Sequence, residues 1–309
     1  MKLLITGALG HIGSSLFRFL LNQNLKINQI YIIDNLLSQR YSSLFDTPKS
    51  KVKLKFIDED LSKVDIKKLP YADIIIHLAA KTDAAQSAKF KNEFYTNNLK
   101  CTKNIIDYCK LNNSKLIFAS STSVYGPQKK VVNEDCASSE LNPQSPYAAI
   151  KLKEENLIKK NLTKSKFLIL RLGTICGYSK GIRFHTAVNK FCFQAATGKP
   201  LTIWKTALNQ RRPYLTLEDL NRSIIFIINN KLFYNTTFNL VSDNLTVKQI
   251  LNQISKNIKI RKIFVEHEIM NQLSYTVNTD KFKKYGFKFL SNIDKSINRT
   301  LKLLGNINE

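Results

Sequence analysis

Short apolar runs alternate with longer amphipathic stretches through the first half of the chain. Runs such as Ile74-Ile75-Ile76 are apolar on both faces, which is typical of strands buried in a parallel sheet. The pattern therefore predicts parallel α/β architecture. The predicted strands are Lys2–Thr6, Ile30–Ile33, Lys53–Ile57, Ile74–Leu78, Lys115–Ala119 and Phe167–Leu172, and the predicted helices are Ile12–Leu21, Phe94–Leu111 and Ser145–Lys160.

The alternation loosens after about Gly177. Helices are predicted at Phe184–Thr197, Leu217–Asn229 and Thr246–Lys256, with short strands at Leu201–Trp204 and Pro213–Thr216. No internal repeat or low-complexity linker separates the two halves. We therefore expect a sheet domain over 1–176, to which segments near 205–240 return, and a smaller C-terminal α/β lobe formed mainly by 177–309.

Length and composition favour two domains, or one large domain with a lobe, around a sizeable core. The chain has 309 residues, of which 43% are hydrophobic, and no stretch approaches the ~20 apolar residues of a membrane span. The N-terminal apolar run breaks at Gly7, so we expect no signal peptide and a cytoplasmic location. Five cysteines without C-x-x-C spacing predict neither a disulfide framework nor a zinc site, and no other metal-ligand set is visible.

The chain is strongly basic, with 48 Lys and Arg against 23 Asp and Glu and a formal charge of +25. Lysine is scattered over the whole length, which indicates a compositional bias, and we predict no nucleic-acid partner. The densest basic and aromatic segment, 281–289, also fits a helix that ends at Gly286 and a following strand. A basic surface would still attract an anionic diphosphate.

A glycine-rich turn connects the first strand to the first helix. Gly7, Gly10 and Gly13 have the spacing G-x-x-G-x-x-G, which permits a tight turn and close approach of a pyrophosphate to the helix N-terminus. His11 and Ile12 belong to the same cofactor-binding loop, although we expect the His11 side chain at the surface without a chemical role. Asp34 ends the second strand, where a carboxylate binds an adenosine ribose diol and repels a 2′-phosphate. Together these features predict a Rossmann-type NAD site.

Tyr147 and Lys151 are four residues apart, so a helix places the phenol and the ammonium on one face. A nearby cation stabilises phenolate, and we expect the Tyr147 pKa to fall toward working pH. Such a phenol can take a proton from a sugar hydroxyl. Alone, the pair also fits an interfacial tyrosine and a solvated lysine, and Ser120–Ser123 fits a polar strand end. Their combination at the ligand-binding edge of a parallel sheet favours catalysis.

The ordered motifs resemble those of the extended short-chain dehydrogenase/reductases, specifically the NAD-dependent nucleotide-sugar epimerase/dehydratase family, whose best-known member is UDP-glucose 4-epimerase. The resemblance covers nearly the whole chain. The matching segments are 6–13, 34–36, 60–61, 77–80, Asn98 with Thr102, 120–126, 146–151, 170–174, 212–214 and 218–219.

The resemblance implies a role for each matching residue. Cofactor contacts are implied for Asn35 beside Asp34, for Asp60 and Leu61 at the adenine, for Leu78, Ala79 and Ala80, for Asn98 beneath the site, and for Tyr147 and Lys151 at the nicotinamide ribose. Ser121 matches the catalytic hydroxyl residue beside Tyr147 and Lys151. Substrate contacts are implied for Ser121, Thr122, Tyr147, Thr174, Arg183 and Asn189, and for Arg212, whose guanidinium suits a diphosphate. A homodimer through Phe94–Leu111 and Ser145–Lys160 is also implied.

Two positions depart from the family pattern. Thr122 and Ser123 stand where the family's 4,6-dehydratases carry an Asp-Glu pair, so the acid and base for water elimination are missing and dehydration is not expected. Thr174 stands where many epimerases have Asn, so the resemblance does not identify the sugar of the substrate.

The leading hypothesis is NAD-dependent epimerisation of a nucleoside-diphosphate sugar through transient oxidation at C4. The alternative is a nucleotide-sugar oxidoreductase, either a 4-keto reductase or a dehydrogenase, because Tyr147, Lys151 and Ser121 would serve both reactions. A third possibility is a non-catalytic dinucleotide- or RNA-binding protein, which the charge of +25 keeps open.

Overall fold

The computed structural model describes residues 1–82, 84–127, 131–164, 166–266, 274–290 and 292–305. Within these residues the largest sheet is fully parallel, with the strand order β11-β7-β5-β4-β1-β2-β3. Its order 3-2-1-4-5 outward from β3 is that of a doubly wound Rossmann sheet. The strands of this sheet are β1 (Lys2–Thr6), β2 (Gln29–Asp34), β3 (Lys53–Asp58), β4 (Ile74–His77), β5 (Lys115–Ser121), β7 (Phe167–Leu172) and β11 (Thr236–Leu240).

Helices cover both faces of this sheet. On one face, α1 and α6 pack over Leu3, Ile5 and their neighbours, and on the other face α3 and α4 pack over Leu4 and Ile75. Successive strand residues point to opposite faces, which is why most buried positions of these strands are apolar. Buried polar exceptions toward the carboxyl ends of the strands include Thr6, His77, Ser120 and Arg171. The helices of the described chain are α1 (His11–Leu21), α2 (Ala84–Lys89), α3 (Lys91–Asn112), α4 (Pro146–Asn161), α5 (Ala187–Ala196), α6 (Leu217–Asn229), α7 (Val247–Ser255), α8 (Asp280–Lys283) and α9 (Ile293–Leu304).

The C-terminal lobe is built on smaller sheets that lie beyond the carboxyl edge of the large one. Helices α5, α7 and α9 share a separate apolar core with these strands. One sheet has the order β12-β10-β8, and two-stranded sheets pair β13 with β9 and β14 with β6. The remaining strands are β6 (Val131–Val132), β8 (Thr174–Cys176), β9 (Leu201–Trp204), β10 (Arg211–Thr216), β12 (Asp243–Thr246), β13 (Lys262–Val265) and β14 (Thr276–Val277).

The predicted parallel α/β fold is confirmed, and β1, β7, β9 and α6 have the predicted bounds. The segment 217–240 supplies α6 and β11 to the large sheet, although the division at residue 176 itself stays a prediction. The predicted strand after Gly286 is wrong: residues 287–290 form no strand, because Phe287 and Phe289 instead pack around Phe282.

Candidate active site

The glycine loop leaves no room for side chains where a dinucleotide would approach. A Cβ on Gly7 would lie 2.7 Å from the backbone of Ala79, and Gly7 has φ +65°. A Cβ on Gly13 would lie 2.5 Å from the carbonyl oxygen of Ala8. Helix α1 therefore begins directly against β1, as a pyrophosphate-binding turn requires.

The first turn of α1 presents backbone donors. The amides of His11, Ile12 and Gly13 find no hydrogen-bond acceptor among the described residues, as expected for the first positions of a helix. These donors and the helix dipole fit an anionic pyrophosphate. The residues present thus fit NAD.

Asp34 lies beside this turn. Its carboxylate accepts hydrogen bonds from the amides of Leu9 (3.0 Å) and Leu36 (3.1 Å). Burial raises the Asp34 pKa, while these two amides and Arg40 act to lower it. Each carboxylate oxygen keeps a further acceptor site, so Asp34 can both brace the loop and bind a ribose diol.

Asn35 and Asp60 lie together at the ends of β2 and β3. Asp60 accepts hydrogen bonds from the amide (2.9 Å) and the hydroxyl (2.7 Å) of Ser62, and Asn35 bonds to it as well. Burial opposes ionisation of Asp60, but these bonds and Lys63 lower its pKa overall. Leu61 is buried, and the arrangement forms a polar rim with an apolar floor, which suits an adenosine.

The residues after β4 approach the glycine loop from the other side. Leu78, Ala79 and Ala80 are half-buried, and Ala79 is the residue that a Cβ on Gly7 would strike. Asn98 is fully buried, and its amide bonds the backbone of Lys81 in both directions, at 2.8 and 3.0 Å. The expected steadying role of Asn98 agrees with this geometry, whereas a direct contact with the cofactor does not.

The structure corrects the expectation for His11, which is buried rather than at the surface. Its ring lies 2.9 Å from the Ser179 hydroxyl and 3.3 Å from the Asn189 amide nitrogen. Because that amide nitrogen can only donate, Nδ1 carries the ring proton and donates to Ser179. Burial, together with Arg40, lowers the His11 pKa to about 3, so the ring is neutral.

Asn189 also differs from its expected role in the substrate pocket. Its side chain is fully buried on α5 and accepts from the amide of Gly177 at 3.1 Å. The amide nitrogen donates to the carbonyl of Arg183 at 3.1 Å. Asn189 therefore holds the 177–183 turn against the glycine loop, because these backbone groups are buried and need partners.

Tyr147 stands at the beginning of α4. Ser145 caps this helix by accepting from the Ala148 amide at 3.2 Å, and Pro146 occupies the first helical position. The Tyr147 amide, which has no intrahelical acceptor at this position, donates to the Ser87 hydroxyl at 3.2 Å. The Ser121 hydroxyl bonds the phenol. The catalytic helix thus starts where β5 ends, and this juxtaposition brings the predicted serine and tyrosine together.

The expected depression of the Tyr147 pKa is wrong for the protein without ligands. Burial raises the pKa of the phenol, and Lys151 lowers it by less than burial raises it. Glu154 adds to the rise, while Arg183 and the Ser121 hydrogen bond oppose it. The i, i+4 spacing indicates the cation correctly, but spacing alone contains no information on how deeply the phenol is buried.

Lys151 is almost completely buried one turn further along α4. Its ammonium lies 3.0 Å from Glu154 and 4.6 Å from the centre of the Phe118 ring. Burial acts to lower the Lys151 pKa, but Glu154, Tyr147 and Glu155 raise it overall. The ammonium is therefore charged when it faces Tyr147.

Ser121 is the last residue of β5 and Thr122 follows it, but their side chains have different surroundings. The Ser121 hydroxyl lies 2.8 Å from the Ser123 hydroxyl and accepts from the Ser123 amide. Thr122 is 2% exposed and donates to the carbonyl of Leu172 at 3.2 Å, with the Tyr275 hydroxyl 3.3 Å away. Since its hydroxyl is committed inside the protein, the predicted substrate contact by Thr122 is not supported.

Two predicted arginines face the cleft from the C-terminal lobe. Arg183 donates to the Thr82 hydroxyl, close to β4, and its charge acts on the Tyr147 phenol. Arg212 lies half-buried on β10, and its charge acts to lower the pKa values of Tyr214 and Tyr275. Thr174 is half-buried on β8, which pairs with β10. Arg183 thus lies near the phenol, and Arg212 lies near Tyr275, whose hydroxyl is 3.3 Å from that of Thr122.

Sequence reasoning missed a buried polar network under the catalytic helix. Glu155 accepts from Arg171 at 3.0 and 2.8 Å and from the Ser120 hydroxyl at 2.5 Å. The network joins α4 to β7 and β5. Two adjacent buried glutamates, Glu154 and Glu155, on an otherwise lysine-rich helix were the available signal.

The described residues contain no group of three or more His, Cys, Asp or Glu residues that could hold a metal ion. None of their helices is long and apolar enough to cross a membrane.

Comparisons with known proteins agree on one family. The sequence model of the NAD dependent epimerase/dehydratase family matches residues 3–240. A Bacillus subtilis protein named "Uncharacterized UDP-glucose epimerase YtcB" is 30% identical over 252 residues, covering 78% of this chain and 76% of that protein. An Arabidopsis thaliana trifunctional UDP-glucose 4,6-dehydratase, epimerase and reductase is 27% identical over 97% of this chain, and the chain spans only 47% of that protein.

The fold has close relatives among solved structures. UDP-glucuronic acid 4-epimerase from Bacillus cereus, solved in complex with UDP-glucuronic acid and NAD, superimposes with a TM-score of 0.88 at 24% identity. The alignment covers 98% of this chain and 99% of that one. At this identity the likeness concerns the fold.

Proposed function

The chain belongs to the NAD-dependent epimerase/dehydratase family, and on that premise we propose that it inverts the configuration at C4 of a UDP-hexose. Membership confirms the predicted enzyme class and NAD as the cofactor. The proposal of this reaction is supported above all by the meeting of Tyr147, Lys151 and Ser121 at the same carboxyl edge of the sheet from which the glycine loop leaves β1.

The residues that would hold NAD surround the carboxyl edge of the large sheet. The glycine loop with His11 and Ile12 would take the pyrophosphate through backbone amides, Asp34 and Asn35 the adenosine ribose, and Asp60 and Leu61 the adenine. Lys151 would bond the nicotinamide ribose. When bound, NAD supplies a reversible hydride acceptor and a positively charged ring.

The chain's own residues supply the proton chemistry. The Tyr147 phenolate removes the proton from the sugar 4-hydroxyl, and the Ser121 hydroxyl bonds the same oxygen. The charges of Lys151 and Arg183 stabilise the phenolate that forms. When the 4-keto sugar is reduced again, Tyr147 returns the proton to the oxygen at C4. Tyr147 thus ends the cycle as the phenolate with which it began.

Substrate recognition rests on the C-terminal lobe. We propose that Arg212 binds the diphosphate, since a guanidinium matches phosphate geometry, and that Thr174 and Arg183 line the sugar pocket. The relative from Bacillus subtilis is the basis for proposing uridine as the base.

Two further points belong to this proposal. We place the enzyme in the cytoplasm, and we propose a homodimer through α3 and α4, whose exposed Tyr95 and Leu111 offer apolar surface for a second copy. Sedimentation velocity checks the dimer: a monomer at micromolar concentration would contradict it.

The test is turnover without added cofactor. The purified protein is incubated with UDP-glucose, UDP-N-acetylglucosamine and UDP-glucuronic acid in turn, and C4 epimers are detected by proton NMR. We expect interconversion of at least one pair by protein that carries its own NAD. A product that appears only with consumption of one equivalent of nicotinamide cofactor would favour the oxidoreductase alternative instead.

A further inference from the structure

Glu154 lies on the same stripe of α4 as the catalytic pair. Tyr147, Lys151 and Glu154 follow the spacing i, i+4, i+7, which keeps one face of a helix. Glu154 is fully buried, and its Oε2 lies 3.0 Å from the Lys151 ammonium. Burying a carboxylate costs desolvation free energy, which pairing with Lys151 offsets only in part. A role in the site would explain why the chain keeps this buried ion pair.

A hydrogen-bond chain holds the other oxygen of Glu154. The Thr102 hydroxyl donates to Oε1 at 2.6 Å, since a carboxylate can only accept. The Thr102 oxygen must then accept from Nε2 of His77, which lies 3.3 Å away. His77 consequently carries its proton on Nε2.

The chain continues to the cofactor loop. Nδ1 of His77 accepts from the Thr6 hydroxyl at 2.7 Å. The Thr6 oxygen in turn accepts from the amides of Leu78 and Ala79, both at 3.2 Å. Burial, with Lys151, lowers the His77 pKa to about 3, which agrees with the neutral ring that this direction requires. Every donor in the chain therefore points toward Glu154. The chain links the Glu154 carboxylate to the backbone of Leu78 and Ala79, which lines the proposed cofactor site.

The charges around Lys151 give Glu154 a specific effect. Glu155, the next residue, already holds Arg171 in a two-bond pair, so Glu154 is the nearer anion for Lys151. The polar, titratable and aromatic groups that surround the pair come from several elements: Tyr147 and Glu155 on α4, His77 on β4, Cys101 and Thr102 on α3, Phe118 and Ser121 on β5, and Arg183 before α5.

We propose that Glu154 is a positioning residue, which holds the Lys151 ammonium one turn from the phenol and sets the pH at which the Tyr147–Lys151 pair releases its proton. The inference rests on the function proposed above. A negative charge beside the pair opposes release of a proton, whichever of the two residues holds that proton. Glu154 therefore keeps Tyr147 protonated to higher pH than the pair alone would.

The test compares Glu154→Gln with Glu154→Asp in NAD-loaded protein. Glutamine removes the charge and keeps an oxygen that accepts from Thr102, whereas aspartate keeps the charge. Phenolate formation at Tyr147 is followed by ultraviolet absorbance against the same variant carrying Tyr147→Phe, and the pH dependence of kcat/KM is measured in parallel. We expect the Tyr147 step and the acidic limb of kcat/KM to move to lower pH in Glu154→Gln and to stay near the wild type in Glu154→Asp.

The size of the effect follows from spacing along the helix. A charge seven residues away, at about 10 Å and an effective dielectric constant near 20 to 40, changes the proton equilibrium on the order of fourfold to fifteenfold. In Glu154→Gln the midpoint of the acidic limb of kcat/KM should therefore move down by about 0.6 to 1.2 pH units, which is the same factor on the pH scale. A merely structural role would lower activity at every pH and leave this midpoint unchanged.

The readouts separate this inference from the proposed function. If no sugar nucleotide is turned over, the proposed function fails, while the absorbance titration still decides the role of Glu154. A Tyr147 step at the same pH in Glu154→Gln and in the wild type would overturn the inference. Should Glu154→Gln fail to bind NAD, Glu154→Ala with the same titration takes its place, with the same expected shift.

Discussion

The ion pair of Arg171 and Glu155 should be a main stabilising contact between the catalytic helix and the sheet. Arg171 on β7 makes two hydrogen bonds to Glu155, and the side chains are 3% and 0% exposed. The guanidinium also lies 4.8 Å from the centre of the Tyr125 ring. In the Arg171→Met variant the buried Glu155 charge loses its two-bond partner and keeps as its cation only the half-exposed Lys159, 3.8 Å away.

Removing one member of a buried ion pair costs ~3–5 kcal/mol of unfolding free energy, because the remaining charge keeps its desolvation penalty. The effect is measured by urea unfolding followed by circular dichroism. The matched control is Lys205→Met, which removes an ion pair of similar length (2.8 Å to Glu266) whose side chains are 59% and 82% exposed. A pair this exposed contributes only ~0–1 kcal/mol.

A double variant removes both charges of the Arg171–Glu155 pair. Arg171→Met with Glu155→Leu removes both charges, and we expect it to recover most of the stability lost in the single variant, since apolar replacement of a whole buried pair is often neutral. An Arg171→Met variant as stable as the Lys205→Met control would refute the account. So would a double variant less stable than Arg171→Met.

Two further predictions concern NAD binding by the glycine loop and the effect of two buried histidines on stability. Gly13→Ala should abolish copurification of NAD, because its Cβ would lie 2.5 Å from the Ala8 carbonyl oxygen; bound nucleotide measured after denaturation checks this, and wild-type NAD content would contradict it. His11 and His77 have folded-state pKa values lowered from 6.5 to about 3, so between these values the unfolded chain binds more protons than the folded one. The free energy of unfolding should therefore fall as the pH drops through this interval, by up to ~1.4 kcal/mol per pH unit for each histidine. Urea midpoints that stay constant between about pH 6.5 and 4.5 would show that these rings are not held neutral.

Strands of the large sheet were predictable where their sequence is apolar on both faces. Phe167–Leu172 is such a strand and was found with its bounds. The edge strand β11 was missed because Thr236–Leu240 has the sequence TTFNL, which is neither continuously apolar nor strictly alternating. Helix α7 lies within the predicted helix Thr246–Lys256, and Thr246 caps it by forming a capping box with Gln249.

The candidate site was predictable where a motif fixes local spacing. The glycine loop and the Tyr147–Lys151 pair are local patterns, and the structure brings them to one edge of the sheet. The chain of Thr6, His77, Thr102 and Glu154 joins four elements that are far apart in sequence, so no spacing indicates it. The wrong expectations for His11 and Asn189 have the same origin, because the 177–183 turn buries both.

The account's central claim is that Tyr147 is the base for proton transfer at the sugar. The direct measurement compares the rate of C4 epimerisation by wild type, Tyr147→Phe and the control Tyr234→Phe, which changes an exposed tyrosine between α6 and β11. Loss of a general base should lower kcat by ~10²–10⁴ in Tyr147→Phe while bound NAD persists, and Tyr234→Phe should match the wild type. Turnover by Tyr147→Phe within a few-fold of the wild type would contradict the claim.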